Sequence, residues 1–139
     1  MARRDADLLA RVPLFAGLPK RHLRAVAGIA TEEEFLEKST IAEEGTPGDD
    51  FYVIVEGQAT VTRGGKRVTR LLPGDFFGEI ALLDEGPRTA SVIAETPLSA
   101  MTINRKPFSA LLSREPTIVL KMLEALAARL RNQERSLTG

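Results

Sequence analysis

Between Thr31 and Ile103 the chain alternates short β-leaning runs with turn signals, and that alternation decides most of what it can fold into. The runs are Phe51 to Val55, Ala59 to Arg63, Arg67 to Leu72, Ala90 to Glu95 and Leu98 to Ile103. The signals are Gly45-Thr46-Pro47-Gly48, Glu56-Gly57, Gly64-Gly65, Pro73-Gly74 and Thr96-Pro97. Strands this short, at spacings of about ten residues, leave no room for helical crossovers and predict an antiparallel barrel or sandwich. Gly64-Gly65 between two runs reads as a tight hairpin.

Both flanks are helical in pattern. Leu8, Leu9 and Val12 form one apolar stripe, which Pro13 stops; Leu23, Val26, Ala27 and Ala30 form a second behind Pro19, a residue suited to a first helical position. Phe15 and Leu18 between them are expected to dock this arm onto the strands. After Ile103, Asn104 is an N-cap for a helix carrying Phe108, Leu111 and Leu112. Beyond Glu115-Pro116 a longer helix holds Ile118, Val119, Met122, Leu123, Leu126, Ala127 and Leu130 on one face, with Lys121, Glu124, Arg131 and Glu134 opposite. Two readings of that stripe stay open: it lies on the strands, or part of it meets a partner helix or covers a ligand.

At 139 residues the chain is most simply one domain with room for a core. Nineteen basic and nineteen acidic residues cancel, so the net field points to neither nucleic acid nor an anionic membrane. There is no cysteine, hence no disulfide, thiolate metal site or thiol nucleophile. That fits a reducing cytoplasm, the expected location. No apolar run approaches a membrane span, and Met1 to Arg11 is charged throughout, without the apolar core of a signal peptide. The single histidine, His22, sits among Lys20, Arg21 and Arg24 and reads as a solvated helix residue; a metal site built from several histidines is excluded by count. That count also weighs against a small-barrel metalloenzyme. No nucleophile–base pair or pair of catalytic carboxylates is visible, so neither a catalytic residue nor a metal is expected.

One stretch carries chemistry: Phe76 to Val92, FFGEIALLDEGPRTASV. Gly78 lets a backbone approach a ligand closely. The turn Glu79-Ile80-Ala81-Leu82-Leu83 behind it would aim the N–H groups of Ile80, Ala81 and Leu82 at one point, as a helix N-terminus does for a phosphate. Arg88 returns ten residues after Gly78 with a fork of donors that lysine lacks. Charge-assisted bonds of this kind contribute about 1.5–3 kcal/mol each. Glu79 would be repelled by a phosphate unless it faces a hydroxyl or is balanced by Arg88. The residue set therefore asks for a phosphate attached to a sugar with a free hydroxyl. The blander alternative is that Glu79 merely favours its helix N-terminus while Arg88 makes a surface ion pair.

FGEIALLDEGPRTASV resembles the phosphate-binding cassette of the cyclic nucleotide-binding domain, a family that includes catabolite activator proteins, regulatory subunits of cyclic-AMP-dependent kinase, cyclic-GMP-dependent kinase and cyclic-nucleotide-gated channels. The resemblance extends to Val12-Pro13-Leu14-Phe15 with Leu18 and Leu23, to IAEEGTPGDDFYVIVEG from Ile41 to Gly57, to Leu72-Pro73-Gly74-Asp75, and to Asn104 through Arg135. It implies an α+β fold, an antiparallel β-roll (a jelly-roll-like barrel) flanked by N-terminal helices and by a C-terminal helical hinge with a long last helix. The expectation is a single domain over residues 1–139: a helical arm at 1–30, the β-roll at 31–103 with the cassette at 76–92, and C-terminal helices at 104–139.

The resemblance also implies roles. Glu79 accepts from the ribose 2′-hydroxyl and Arg88 pairs with the cyclic phosphate. Gly78 and the backbones of Ile80, Ala81 and Ala90 complete the cradle. Thr89 stands where the family uses alanine, serine or threonine near phosphate and purine; threonine there resembles the cyclic-GMP kinases and also channels that accept both nucleotides. Val61 and Val68 could touch the base, although strand packing explains both. Leu126, Arg129 and Leu130 on the last helix are candidates to cover the purine. One departure is local: a glycine is usual in the family where this chain has Lys38, so the turn there must be built another way. The function implied is a non-catalytic sensor of cAMP or cGMP that relays occupancy through its last helix, with a homodimer through that helix or an effector domain as its partner and no direct contact with nucleic acid. The alternative is a ligand-free dimerisation or interaction module on the same fold.

Overall fold

The computed structural model describes residues 2–138, with side chains for residues 5–135. The chain divides into two compact units, residues 29–108 and residues 1–28 together with 109–139.

The first unit is built from antiparallel strands, as their spacing predicts. One four-stranded sheet runs in the order β1 (Thr31–Phe35), β10 (Leu98–Asn104), β4 (Asp50–Glu56), β7 (Phe76–Phe77). A second runs β2 (Thr40–Ala42), β9 (Ser91–Ala94), β5 (Ala59–Arg63), β6 (Lys66–Leu71), and a two-stranded ribbon joins β3 (Pro47–Gly48) to β8 (Gly86–Pro87). Four consecutive residues of β4, Phe51 to Ile54, are buried, so both of its faces are covered. Tyr52 and Ile54 point to one side, into a core with Ala42, Ala59, Val92, Ala94, Leu98 and Ala100. Four of its eight buried residues are alanines, and the rings of Phe35 and Phe77 pack at its margin. Val61 packs against the same core, whereas Val68, expected to pack, is 51% exposed on edge strand β6. A register shift between Val61 and Thr62 lies opposite it, and a bulge turns the side chain out.

The β5–β6 hairpin turns on Gly64 and Gly65, both left-handed at φ 59 and φ 79, the pair of angles that a two-residue primed turn requires. The strands without a strong sequence signal are β1, written Thr-Glu-Glu-Glu-Phe, and the short segments β2, β3, β7 and β8. β1 forms because β10 offers it a complete antiparallel ladder, from Thr31↔Thr102 to Phe35↔Leu98, while Glu32 and Glu34 face solvent.

The second unit is helical. α1 (Ala2–Leu9) and α2 (Lys20–Gly28) are joined by successive tight turns, in which the N–H groups of Val12, Phe15 and Leu18 donate to Leu9, Val12 and Phe15 carbonyls at 2.9–3.0 Å. Leu9, Val12, Phe15, Leu18, Leu23, Val26 and Ala27 are all buried. His22 is buried with them, 4% exposed, contrary to the solvated reading. It lies one helical turn ahead of Val26 and so shares the apolar face; its basic neighbours Arg21 and Arg24 point outward. α3 (Arg105–Arg114) starts in the strand unit and ends in the helical one. In α4 (Pro116–Thr138), Ile118 and Met122 are buried, but Leu120, Leu123 and Leu130 are 56%, 57% and 61% exposed.

Lys38 resolves the turn that lacks the family's glycine. Its φ is 69°, making it the one left-handed non-glycine among the described residues. The turn keeps glycine geometry: the Lys38 N–H donates to Ala94 O at 2.7 Å, and Ser39 donates to Leu36 O from both its N–H (3.1 Å) and its hydroxyl (2.6 Å). A side chain in this region costs about 1–2 kcal/mol, against about 0.5–1 kcal/mol of extra entropy lost by glycine. Urea unfolding should therefore find Lys38→Gly more stable than the parent by about 0.5–1 kcal/mol, and Lys38→Val less stable, because a β-branched residue is least tolerant of positive φ. A glycine variant weaker than the parent would show that the lysine side chain holds the turn.

Candidate functional site

The cassette is positioned from both ends. At its start, β7 pairs with β4 (Tyr52↔Phe77, Val53↔Phe76), which places Gly78 beside Asp50. Gly78 is left-handed (φ 82, ψ 16), and a Cβ there would lie 2.6 Å from Arg88 Nη1 and 2.8 Å from Asp50 O. At the far end, β8 pairs with β3, and Arg88 just beyond it is bonded on both backbone sides: its N–H donates to Thr46 O and its carbonyl accepts from Gly45 N–H, each at 2.8 Å.

Between these anchors the chain makes a 3-10 turn, Glu79–Leu82, with Ala81 and Leu82 buried and Ile80 71% exposed. The turn departs from the three convergent donors expected of it. In a 3-10 turn each N–H reaches back three residues, and the Ala81 N–H donates to Gly78 O at 3.0 Å rather than standing open. The Leu83 and Asp84 N–H groups close the turn on Ile80 O at 3.0 and 2.9 Å.

The Arg88 guanidinium is held by neutral groups. Nη2 donates to Asp50 O at 2.8 Å, and the guanidinium carbon sits 6.0 Å from the Tyr52 ring centre. Tyr52 in turn stacks on Phe77 at 4.7 Å and meets the edge of Phe35 at 6.1 Å. The Asp50 carboxylate is turned away, accepting from Asn104 Nδ2 at 2.8 Å. Asn104 Oδ1 caps α3 by accepting from Lys106 N–H at 3.1 Å, as its N-cap reading predicts, and Arg105 N–H donates to Asp49 O at 2.8 Å.

A cavity of about 450 Å³ opens on the cassette, and Gly78, Glu79, Ile80, Ala81, Arg88 and Thr89 all line it. Ala90, also expected at the site, is not among the lining residues; Leu126, Arg129 and Leu130 belong to α4 in the helical unit. Thr89 is exposed, and its carbonyl accepts from Arg63 Nε at 3.1 Å. Sequence reasoning passed over Gly48, Asp50 and Tyr52. Gly48 registered only as part of a turn signal, and the other two sit in a strand whose pattern reads as core. Among the described residues no cluster of three or more His, Asp or Glu could hold a metal, and no helix is long and apolar enough to cross a membrane.

The model of the cyclic nucleotide-binding domain family matches residues 32–115. A CRP-like cAMP-activated global transcriptional regulator of Mycobacterium tuberculosis is 30% identical over 136 residues, covering 94% of this chain and 61% of its own length. A cAMP-dependent protein kinase regulatory subunit of Hypocrea atroviridis is 34% identical over 106 residues, covering 76% of this chain and 23% of its own. Among solved structures, the N-terminal domain of a transcriptional regulator from Streptomyces coelicolor superposes with a TM-score of 0.85 at 30% identity, covering 91% of this chain and 94% of that one. The chain belongs to the cyclic nucleotide-binding domain family. It spans less than two thirds of each of these two curated relatives.

Tyr52 is the only tyrosine, so its ionisation can be read directly. Its pKa is raised from 10.0 to about 12, first by burial, then by the carboxylates of Asp50 and Glu33, with Arg88 pulling the other way. Because the folded value lies above the unfolded one, the stability that this shift contributes is whole below pH 10 and is lost as pH climbs toward 12. Absorbance at 295 nm should titrate near pH 12 in the native protein and near pH 10 in denaturant; coincident curves would show that the ring is not buried.

Proposed function

We propose that this chain is a non-catalytic, cytoplasmic sensor that binds a cyclic mononucleotide, cAMP or cGMP, and acts as one domain over residues 1–139. The supporting observation is that Gly78, Glu79 and Arg88 line one cavity of about 450 Å³, within the ordinary range for a small-molecule site. In this reading the Arg88 guanidinium takes the cyclic phosphate through donors other than its Asp50-bonded Nη2, Glu79 accepts from the ribose 2′-hydroxyl, and the backbones of Gly78, Ile80 and Ala81 line the cradle, with Ala90 just behind it in sequence. The relatives are named for cAMP, which favours adenine. The Thr89 hydroxyl can accept from a guanine amino group, which favours cGMP. Leu126, Arg129 and Leu130 are the proposed cover for the base, and occupancy is relayed by a shift of α4.

The exposed face of α4 supports a partner. Leu120, Leu123, Ala127 and Leu130 recur at intervals of three and four, the seam of a helix pair, and the three leucines are more than half exposed. A second copy of the chain, or an effector domain, is the proposed occupant. The same face favours the alternative reading, a dimerisation module without ligand.

A thermal-shift panel of cAMP, cGMP, their linear monophosphates and cyclic dinucleotides separates these readings, since a ligand that binds only the folded state raises its melting temperature. A shift with a cyclic mononucleotide alone is expected; no shift with any of them leaves the module. Arg88→Lys should weaken binding by about tenfold or more, through loss of the fork, and unchanged affinity in calorimetry would remove Arg88 from the phosphate site. Glu79→Ala should abolish the preference for the ribonucleotide over its 2′-deoxy analogue; a preference that survives makes Glu79 structural.

A further inference from the structure

The geometry points to Gly48 as a positioning residue for Arg88: the missing side chain on β3 is the slot in which the guanidinium lies. A Cβ on Gly48 would fall on the Arg88 side chain, with Nε, Cζ and Cδ all within 2.8 Å. Gly86, directly opposite in the β3–β8 register, would meet nothing within 4 Å, so the ribbon as such does not demand small residues. Nor does the Gly48 backbone demand glycine, since its φ is not positive. What it accommodates is the arginine.

Arg88 and Gly48 together also separate two cavities. Both residues line the 450 Å³ cavity on the cassette side, and both line a second one of about 350 Å³ that reaches Tyr52, Asp50 and Glu43. The guanidinium is the partition, clamped between the Gly48 and Gly78 backbones, with Asp50 O at its tip and the Tyr52 ring beneath it. The two glycines differ in one respect. Gly78 is left-handed and its Cβ would also strike the Asp50 carbonyl, so alanine there strains the backbone. At Gly48 the three nearest atoms all belong to one flexible side chain, so alanine leaves the backbone in place and displaces the arginine. A pre-set guanidinium spares the ordering cost when a phosphate arrives. This inference rests on the reading of Arg88 as the phosphate ligand, and its test is built so that either can fail alone.

In calorimetry, G48A should lower the affinity for cAMP at least tenfold. In an R88A background, with weak binding followed by NMR titration, the same substitution should change affinity less than twofold. Equal losses in both backgrounds, or an unchanged G48A, would overturn the role. A parent protein that binds no cyclic nucleotide removes the site reading, and the ligand-free state then decides: the Arg88 Nε–H resonance, assigned by its loss in R88A, should be ordered by heteronuclear NOE in the parent and disordered in G48A. The same NOE in both proteins would overturn the slot. Should G48A fail to fold, the double variant G48A/R88A should fold again, because the methyl group then has nothing to meet; a double variant as unstable as G48A refutes the inference.

Discussion

The site depends on how a partly buried cation, Arg88, is oriented by neutral groups among the described residues. Arg88 Nη2 donates to the Asp50 carbonyl and its guanidinium rests over the Tyr52 ring. A carbonyl and a ring face orient a guanidinium but carry no net charge, so its attraction for an anion is retained. A bond from the Asp50 carboxylate instead would fix the arginine just as firmly and compete with a phosphate for it. The structure avoids this by giving that carboxylate to Asn104, leaving only the backbone oxygen turned toward Arg88.

Everything around the arginine follows from that arrangement. β4, buried on both faces, places Asp50 and Tyr52 beneath it. β7 must bring Gly78 against Asp50, which the Tyr52↔Phe77 pairing does. The stack of Phe77 on Tyr52 at 4.7 Å keeps the supporting ring flat under the cation. The two-residue ribbon β3–β8 is too short to stabilise much, but it sets the register that puts Gly48 beside Arg88, and the bonds that Arg88 accepts from Gly45 N–H and donates to Thr46 O keep it from sliding along the ribbon.

What the sequence made legible divides along the same line. The cassette could be read because its glycine, acid, turn and arginine are contiguous. Five strands and the Gly64-Gly65 hairpin could be read because alternation and turn chemistry are local properties. β1 could not, since three successive glutamates carry no strand signal and only β10, some seventy residues away, supplies its ladder. Gly48, Asp50 and Tyr52 escaped for the same reason: the Arg88–Asp50 bond spans 38 residues, and no local pattern marks a carbonyl as a partner. His22 was misjudged from its charged neighbours in sequence, whereas its surroundings are set by Val26 one turn along the helix. Of the donors expected at the 3-10 turn, the Ala81 N–H is taken by Gly78 O, because each N–H in such a turn reaches back three residues, a closure that residue types alone do not announce.

Asp50 also ties the site to the helix that follows. Its carbonyl orients Arg88, while its carboxylate fixes Asn104, the residue that caps α3; the adjacent Asp49 carbonyl takes the Arg105 N–H. One backbone segment thus sets both the cation at the cavity wall and the first turn of a helix that continues out of the strand unit. A displacement of the Asp50 peptide that breaks its bond to Arg88 also moves the Cα that carries the carboxylate held by Asn104. The cavity wall and the start of α3 are thus joined through hydrogen bonds of 2.8 Å to one backbone segment.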